Sequence, residues 1–254
     1  MAARTEPLTV RVGRRVVAAF CSRQVRRHVD LTVLGRDNLP PTGPVVIAAR
    51  HVHHLLDGCV LAGQIDRPLH VFVAVDWAPP GPQRTLLDLA TGLLRWPAII
   101  RSEVAARHPA GDASRRLRAA TREAIALLQA GQALIVFPEG YPNIDPHPTP
   151  KRGITDMLCF QPGFVRIAVM AAGGSAGKVP IVPAGFWYEA LAGNRWRVIL
   201  RFGEPVYAEG MRDTRTAAAV ERCVRELSRA PELHGTPCPA AYSRPTRDAT
   251  VSGT

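Results

Sequence analysis

A chain of 254 residues fits one large α/β domain better than two small ones. Hydrophobic residues make up 46% and charged residues 21%, so the chain can bury a substantial core, and the scarcity of aromatic residues makes that core mainly aliphatic. The 32 Lys and Arg residues exceed the 21 Asp and Glu residues, and the resulting charge of +11 favours anionic partners such as nucleic acid, anionic lipid or CoA-like molecules.

Cysteine usage and apolar runs predict a reduced protein with at most peripheral membrane contact. The five cysteines are scattered without a Cys-x-x-Cys pair, which argues against a zinc site or a disulfide framework. We expect ordinary thiols in a reducing cytoplasm. No apolar run reaches the ~18–20 residues of a membrane-spanning helix. The first residues, MAARTEPLTVRVGRR, are broken by charge and do not read as a secretory signal.

Residues 1–30 are predicted to form a basic amphipathic N-terminal helix. Val12, Val16, Ala19 and Phe20 share one face at helical spacing, and the arginines are expected elsewhere on the helix. A helix of this kind suits an anionic membrane surface. It equally suits packing on the domain with a solvated basic face, and the sequence leaves both interpretations open.

Beyond this helix, strands alternate with helices, which predicts an α/β fold: a single domain with a largely parallel central sheet flanked by helices. The predicted strands are residues 31–34, 45–49, 70–75, 97–101, 133–137, 179–186 and 195–206, the last ending in a turn. The predicted helices are residues 59–63, 85–94, a segment ending before Gly131, 162–172 and 214–229. The main domain therefore covers residues 31–230, and the Pro- and Ser-containing tail 231–254 is predicted to be disordered.

The first group of chemically active residues is His51, His53, His54 and Asp57, which follow the strand 45–49. Catalytic and ligand-binding groups of open α/β sheets gather at such strand ends. A His–Asp pair makes a hydroxyl nucleophilic, because the carboxylate fixes the imidazole tautomer and the free nitrogen takes the proton. Metal binding and purely structural histidines are the alternatives. No second His/Cys cluster accompanies the group, so no metal site is predicted.

The second group is VFPEG, residues 136–140, at the end of another continuous apolar strand. Glu139 and Gly140 suggest a tight turn that presents polar groups to a site. Taken alone, the segment is better explained as an ordinary Pro–Gly exit from a strand.

Together these segments resemble the glycerolipid acyltransferase family, which includes lysophosphatidic acid acyltransferases. That family carries a His-x4-Asp motif after a strand, a Gly…Arg strand motif, Phe-Pro-Glu-Gly, and a later strand with Val-Pro. The counterparts here are ARHVHHLLD (49–57), WPAIIR (96–101), VFPEG (136–140) and KVPIVPAG (178–185). The resemblance spans residues 31–206 and implies a glycerol-3-phosphate acyltransferase-like fold, with residues 31–230 as the acyltransferase domain.

The resemblance implies an O-acyltransferase of phospholipid biosynthesis, peripheral to the inner face of the cell membrane. A His–Asp pair would deprotonate the hydroxyl of a lysophospholipid-like acceptor, which attacks the thioester of acyl-CoA or acyl carrier protein. That thioester is a co-substrate, and no cofactor is implied. Arg101 would grip the acceptor's phosphate bidentately, while Glu139 and the Gly140 backbone would bind the acceptor or shape the site.

Two departures from the family pattern concern these residues. The strand end selects His51 as the base, whereas helical spacing to Asp57 selects His53, and both remain catalytic candidates. The family continues Phe-Pro-Glu-Gly with Thr-Arg, but Tyr141 and Pro142 follow here. Lys151 or Arg152 are the candidates to replace the missing arginine.

Three other functions compete with acyl transfer. The altered motifs also fit a catalytically weak lipid- or acyl-carrier-binding protein on the same scaffold. A nucleic-acid binder fits the basic charge, but the chain has no recognised nucleic-acid motif, and no nucleic-acid partner is predicted. A hydrolase fits a His–Asp pair that activates water, but no Gly-x-Ser-x-Gly elbow supplies a serine nucleophile.

Overall fold

A computed structural model describes residues 7–78, 81–101, 103–104, 111–173, 178–210 and 214–231, apart from the side chain of residue 214. The tail that the sequence predicts to be disordered lies outside these ranges from residue 232 onward. Within them the chain folds into a layered arrangement of strands and helices.

Within the described ranges, eight strands form two sheets. They are β1 (Val29–Leu34), β2 (Val45–Ala49), β3 (Leu69–Val71), β4 (Val73–Ala74), β5 (Ala98–Ile99), β6 (Ala133–Val136), β7 (Ile181–Leu191) and β8 (Arg195–Phe202). Six strands build the main sheet in the order β1-β8-β7-β2-β6-β3. All neighbours in it are parallel except β7 and β8. The predicted α/β fold with a largely parallel sheet is confirmed.

Helices cover both faces of this sheet. They are α1 (Leu8–His28), α2 (Leu56–Ala62), α3 (Pro82–Leu94), α4 (Asp112–Gln129), α5 (Gly163–Ala172) and α6 (Thr214–Leu227). Alternate residues of β2 point to opposite faces, so Ile47 packs in a core with Val60 of α2, and Val46 packs in a core with Leu128 of α4 and Phe164 of α5. Burial on both faces explains why β2 is apolar at every position.

The antiparallel pair β7 and β8 is a hairpin that the sequence did not predict. The strand predicted over residues 179–186 continues to Leu191, and three residues, 192–194, connect it to β8. Gly193 and Asn194 both have positive φ, 74° and 56°, which suits a tight turn between antiparallel strands. The strand β7 therefore extends beyond the C-terminal end of β2.

The prediction of one strand over residues 70–75 is wrong. The segment divides at Phe72 into β3, which pairs with β6, and β4, which pairs with β5 in a separate two-stranded sheet. The predicted strand 97–101 shortens to the two residues of β5. Because β4 and β5 are parallel, the residues that follow them, Asp76 and Arg101, leave this small sheet side by side.

The helix predicted over residues 1–30 is present over Leu8–His28 as α1, which packs against α2 and α3. Residues 1–6 lie outside the described part of the chain, and Val29 and Asp30 begin β1. Among the helices that the structure describes, none is both long enough and apolar enough to span a bilayer.

Candidate active site

The register between β2 and β6 places His51 beside Glu139. Ala48 of β2 pairs with Val136 of β6, and His51 and Glu139 each lie three residues beyond their member of that pair. Since the two strands are parallel, both residues leave the sheet at the same edge. The backbone amide of His51 donates to Oε1 of Glu139 over 2.8 Å. The two motifs found in the sequence therefore belong to one site.

The side chain of His51 pairs with Asp57. Nδ1 of His51 lies 2.9 Å from Oδ2 of Asp57, and the imidazole stacks on Phe137 with the ring centroids 4.1 Å apart. An ionised carboxylate only accepts hydrogen bonds, so the hydrogen of the neutral ring belongs on Nδ1 and the lone pair on Nε2. The His51 side chain is 15% exposed. The arrangement leaves Nε2 as the nitrogen that can take a proton.

The carboxylate of Asp57 is fully buried and is bonded from several directions. Oδ2 accepts hydrogen bonds from the backbone amides of Val52, at 2.6 Å, and His53, at 2.9 Å. Oδ1 accepts one from the hydroxyl of Tyr188 over 2.7 Å. Burial, with the charge of Asp57 adding to it, raises the pKa of Tyr188 well above its ordinary value, so the phenol remains a donor. The turn before Asp57 thus accommodates a His–Asp separation one residue longer than His-x4-Asp.

Replacing Tyr188 with Phe tests how far this hydroxyl stabilises the buried carboxylate. We expect the free energy of unfolding to fall by about 1–3 kcal/mol, because Oδ1 of Asp57 loses its donor while remaining buried. Urea unfolding of the wild type and the variant measures the difference. Tyr207→Phe is the matched control, since Tyr207 is 48% exposed. Equal effects of the two changes would contradict a special role for Tyr188.

The ring of His53 makes its hydrogen bonds at the start of α2. Its Nδ1 accepts from the backbone amides of Leu55, at 3.2 Å, and Leu56, at 3.4 Å, and so satisfies donors that a helix start leaves unpaired. Burial lowers the pKa of His53 to about 4, so the ring is neutral near pH 7. Only its backbone amide bonds to Asp57. Of the two catalytic candidates, His51 is the one whose side chain bonds to the carboxylate.

The low pKa of His53 predicts a pH dependence of stability. Between about pH 4 and the ordinary value of 6.5, the unfolded chain binds a proton at this residue that the folded chain does not. The contribution of His53 to the free energy of unfolding is therefore fully present above pH 6.5, and it is lost as the pH falls toward 4. At about 1.4 kcal/mol per pKa unit the shift corresponds to at most about 3 kcal/mol, and solvent screening of the partly exposed ring lowers the expected loss to about 1–2 kcal/mol.

The comparison with His53→Asn isolates this residue from other titrating groups. Asparagine offers a capping oxygen but does not titrate. We therefore expect the variant to lose less stability than the wild type between pH 7.5 and pH 5, a range that includes about the upper half of the interval in which His53 titrates. Urea unfolding at the two pH values measures the difference. Parallel loss in both proteins would show that His53 titrates normally.

Glu139 and Lys151 form a buried ion pair that holds the backbone of His51. Nζ of Lys151 lies 2.7 Å from Oε2 of Glu139, and both side chains are fully buried. Nζ also donates to the carbonyl oxygen of His51 over 2.7 Å, and the amide of Leu158 donates to Oε2 of Glu139 over 3.0 Å. Burial lowers the pKa of Lys151, and the charge of Glu139 opposes this shift. Lys151 is thus engaged inside the protein, whereas Arg152 is exposed.

Arg101 is held next to the turn that follows Glu139. Its Nε and Nη2 lie 2.9 and 2.7 Å from Oδ2 of Asp76, and Nη1 donates to the carbonyl oxygen of Gly140 over 3.1 Å. The guanidinium carbon lies 4.0 Å from the centroid of the Tyr141 ring. Gly140 has a φ of +77°, which glycine adopts without a steric penalty. The structure thus brings Arg101, Glu139 and Gly140 together with His51.

A cavity of about 670 Å³ adjoins these residues. Glu139, which bonds to His51, and Tyr141, which stacks with Arg101, both line it. Its volume lies within the range of small-molecule sites. The other lining residues are Glu103, Pro148, Thr149, Pro150, Leu158, Cys159 and Gln161.

The family model described as Acyltransferase matches residues 30–187 of the chain. The chain belongs to the acyltransferase family. The matched region includes His51, Asp57, Arg101, Glu139 and Gly140, and it ends within β7. Among curated proteins, this acyltransferase-family chain has no match.

A solved structure with a similar fold is the 1-acyl-sn-glycerophosphate (LPA) acyltransferase PlsC from Thermotoga maritima. The TM-score is 0.58 and the sequence identity is 22%, and the alignment covers 85% of this chain and 78% of that one. This likeness confirms the acyltransferase-type fold that the sequence predicts. At 22% identity, the likeness concerns the fold of this acyltransferase-family member alone.

The histidines of this acyltransferase-family site have protein partners rather than a shared metal geometry. Across the described part of the chain, no group of three His, Cys, Asp or Glu side chains is placed to hold a metal ion. His51 bonds to Asp57, His53 to the start of α2, and Nδ1 of His54 lies 3.2 Å from the carbonyl oxygen of Ile144.

Three residues of the site were not singled out from the sequence: Tyr188, Asp76 and Phe137. Asp76 directly follows a predicted strand, so the strand-end argument that selected Arg101 also applies to it. Phe137 lies inside VFPEG, where its apolar character read as the last strand residue. Tyr188 lies beyond the predicted end of its strand at residue 186, and no signal in the sequence pointed to it.

Proposed function

We propose that the chain is an O-acyltransferase that moves a fatty acyl group from acyl-CoA or acyl carrier protein to the hydroxyl of a lysophospholipid-like acceptor. The observation that carries the proposal is the His51–Asp57 pair at 2.9 Å, at the end of a buried strand in a chain of the acyltransferase family. The pairing fixes the tautomer that a general base needs. Glu139 and Lys151 hold the backbone of the same histidine.

In the proposed mechanism, Nε2 of His51 takes the proton of the acceptor hydroxyl as its oxygen attacks the thioester carbonyl carbon. The carbonyl π bond opens to a tetrahedral oxyanion, and its collapse breaks the carbon–sulfur bond. The departing thiolate takes the proton back from Nε2, so the products are an ester and a free thiol. Asp57 stabilises the imidazolium that forms between these steps. Stacking on Phe137 keeps the ring in place.

Arg101 is the proposed contact for the acceptor's phosphate. Asp76, with a side chain that is 2% exposed, orients the guanidinium and balances its charge, while the Arg101 side chain is 17% exposed. A guanidinium has five N–H donors, so hydrogens remain for phosphate oxygens after the contacts to Asp76 and Gly140. We expect Arg101→Lys to raise the KM for a phosphate-bearing acceptor more than it lowers kcat, because the fork geometry is lost while the charge remains.

An anionic membrane at the inner face of the cell is the proposed partner surface. The helix α1 contains six arginines and no acidic residue. Basic side chains near a surface of anionic lipid each contribute about 1 kcal/mol of attraction. A peripheral position would bring the site to its lipid acceptor.

Free-thiol release from acyl-CoA and acyl carrier protein, with and without a panel of lysolipid acceptors, tests the proposed activity. We expect release that depends on the acceptor and that disappears in Asp57→Ala, whose histidine loses its partner. Release that continues without any acceptor would identify a thioesterase instead. Asn38→Ala is the control for the preparation of variant proteins, because the side chain of Asn38 bonds to the carbonyl oxygen of Phe202 and to none of the candidate site residues.

The alternative function is a lipid- or acyl-carrier-binding protein with weak catalysis on the same scaffold. The observation that favours it is that Glu139 and Arg101, the expected substrate contacts, are each ion-paired within the protein. A binding protein would retain lipid or acyl carrier protein without thioester turnover, and changes at His51 would leave that binding intact. Absence of thiol release with every donor and acceptor would favour this alternative.

A further inference from the structure

The helix α3 exposes a row of leucines. Leu86 is 69% exposed, Leu89 66% and Leu93 40%. Their spacing of three and four residues puts them on one side of the helix, within an arc of about 60° at 3.6 residues per turn. The two charged residues of this helix, Arg84 and Asp88, are ion-paired with each other, and Asp88 also pairs with Arg116 of α4. From Leu86 onward, the exposed side of α3 is therefore apolar.

The first half of α1 also exposes an apolar stripe, which the exposed Arg11 and Arg15 border. Leu8 is 72% exposed, Val12 49%, Val16 64% and Phe20 45%. Four large apolar side chains that repeat every four residues form a continuous stripe along the helix. The stripe predicted from the sequence is present, and it faces solvent.

The second half of α1 continues this stripe with arginines. Arg23 lies seven residues after Val16, and Arg27 lies seven residues after Phe20, which is two helical turns, so both extend the same side. Arg26 lies beside them, and all three are exposed. The prediction that the arginines lie away from the apolar face is wrong for these three. One side of α1 thus changes from apolar to basic along its length.

The helices α1 and α3 pack closely against each other at Gly13. A Cβ at this position would lie 3.1 Å from Cδ2 of Leu93, so the absence of a side chain lets α3 approach α1 closely. Leu94, beside it, is buried. The exposed stripes of α1 and α3 consequently belong to neighbouring helices. They form one surface, named here the α1–α3 surface, with the residues Leu8, Val12, Val16, Phe20, Leu86, Leu89, Leu93, Arg23, Arg26 and Arg27.

We propose that α3 docks into an anionic lipid bilayer together with α1, so that the leucines of the α1–α3 surface enter the boundary between headgroups and acyl chains while Arg23, Arg26 and Arg27 contact lipid phosphates. An apolar stripe bordered by arginines is complementary to this interface in both polarity and charge. The proposal extends the membrane partner proposed above from α1 to a second helix inside the family-matched region.

Two other binding partners, a second copy of the chain and its own residues 232–254, fit the α1–α3 surface less well. In a two-fold contact between copies of the chain, the arginines of one α1 would approach those of the other, and the net charge of +11 on each copy opposes association. Residues 232–254 of the same chain contain few large apolar residues, namely Leu233, Tyr242 and Val251. That segment does not match a stripe of seven apolar side chains.

Cosedimentation of the full chain with phosphatidylcholine vesicles, with and without phosphatidylglycerol, tests the proposal. We expect the combined change Leu86→Gln, Leu89→Gln and Leu93→Gln to weaken binding to anionic vesicles by about tenfold or more, since apolar burial drives insertion. Leu34→Gln is the matched control, because Leu34 is 48% exposed on the edge strand β1, and we expect a change within about twofold. The combined change Arg23→Gln, Arg26→Gln and Arg27→Gln should weaken the preference for phosphatidylglycerol by about tenfold or more.

A second measurement covers the case in which the triple leucine variant does not fold. Quenching of Leu89→Trp fluorescence by brominated acyl chains, corrected for the wild type, reports directly on insertion of α3, and Leu34→Trp is its control. Wild-type-like binding by a folded leucine variant, or no excess quenching at position 89, would overturn the proposal. So would a lipid-free dimer that the leucine changes convert to a monomer. Neither assay requires acyl transfer, so this proposal and the proposed activity can fail separately.

Discussion

Replacing His51 with Ala is expected to lower the rate of acyl transfer by about 10²–10⁴-fold, the usual contribution of a general base. The physical reason is that Nε2 of this ring is the basic nitrogen left after Nδ1 has bonded to Asp57 at 2.9 Å. Thiol release from acyl-CoA with a lysolipid acceptor measures the rate. The KM for the acceptor should change much less than kcat, because the lost interaction forms in the transition state.

The neighbouring histidines supply matched controls for this experiment. His53→Ala removes hydrogen bonds at the start of α2 and should cost about 0.5–2 kcal/mol of stability while retaining most of the activity. His54→Ala changes an exposed ring and should be nearly silent. A larger rate loss in His53→Ala than in His51→Ala, in folded proteins, would assign the base to the other candidate.

Replacing Lys151 with Ala is expected to lower the free energy of unfolding by about 3–5 kcal/mol, the usual cost of removing one partner from a buried ion pair. Glu139 would keep its two backbone donors, from His51 and Leu158, but would lose the charge that balances it in a fully buried place. The carbonyl oxygen of His51 would also lose its donor. Urea unfolding near pH 7 measures the loss.

Arg152→Ala is the control for Lys151→Ala, because it removes the same charge from the next residue at an exposed position. We expect that change to stay within about 0.5 kcal/mol of the wild type. Similar stability of the two variants would mean that water or another cation compensates Glu139, and the ion pair would then not be what fixes the backbone of His51.

The position of the site followed from the sequence because the strands that carry it are central. The segments VVIAA and ALIV are apolar at every position, a pattern typical of strands covered on both faces, and β2 and β6 are such strands. Functional groups were expected where such strands end, and the adjacency of β2 and β6 in the sheet then brings His51 and Glu139 together. The ordered motifs of the acyltransferase family reinforced that expectation.

The identity of the histidine paired with Asp57 did not follow from the sequence. Helical periodicity places His53 on the same face as Asp57, but periodicity applies only inside a helix, and α2 begins at Leu56. His53 lies in the turn before it, where its ring accepts the first free amides. The path of residues 52–55 decides the pairing, and short turns of this kind depend on tertiary contacts that no local pattern records.

The division of the segment 70–75 into β3 and β4 could not be predicted from the sequence for a related reason. Its residues have strand propensity throughout, but propensity does not say which neighbour a strand pairs with. The amide of Phe72 bonds to Ile135, whereas that of Val73 bonds to Pro97, so the pairing partner changes between consecutive residues. This change of partner is what brings Asp76 to Arg101.

The carboxylate of Glu139 accepts the backbone amide hydrogens of both His51 and Leu158, residues that are far apart in the chain. Neither amide can meet solvent while that carboxylate stays in place, and a single displacement of it exposes both. The two amides are therefore expected to exchange hydrogen for deuterium in one cooperative opening, with matching protection factors. The segment before α5 and the C-terminal end of β2 would in that case open and close as one unit, although the sheet does not pair them directly.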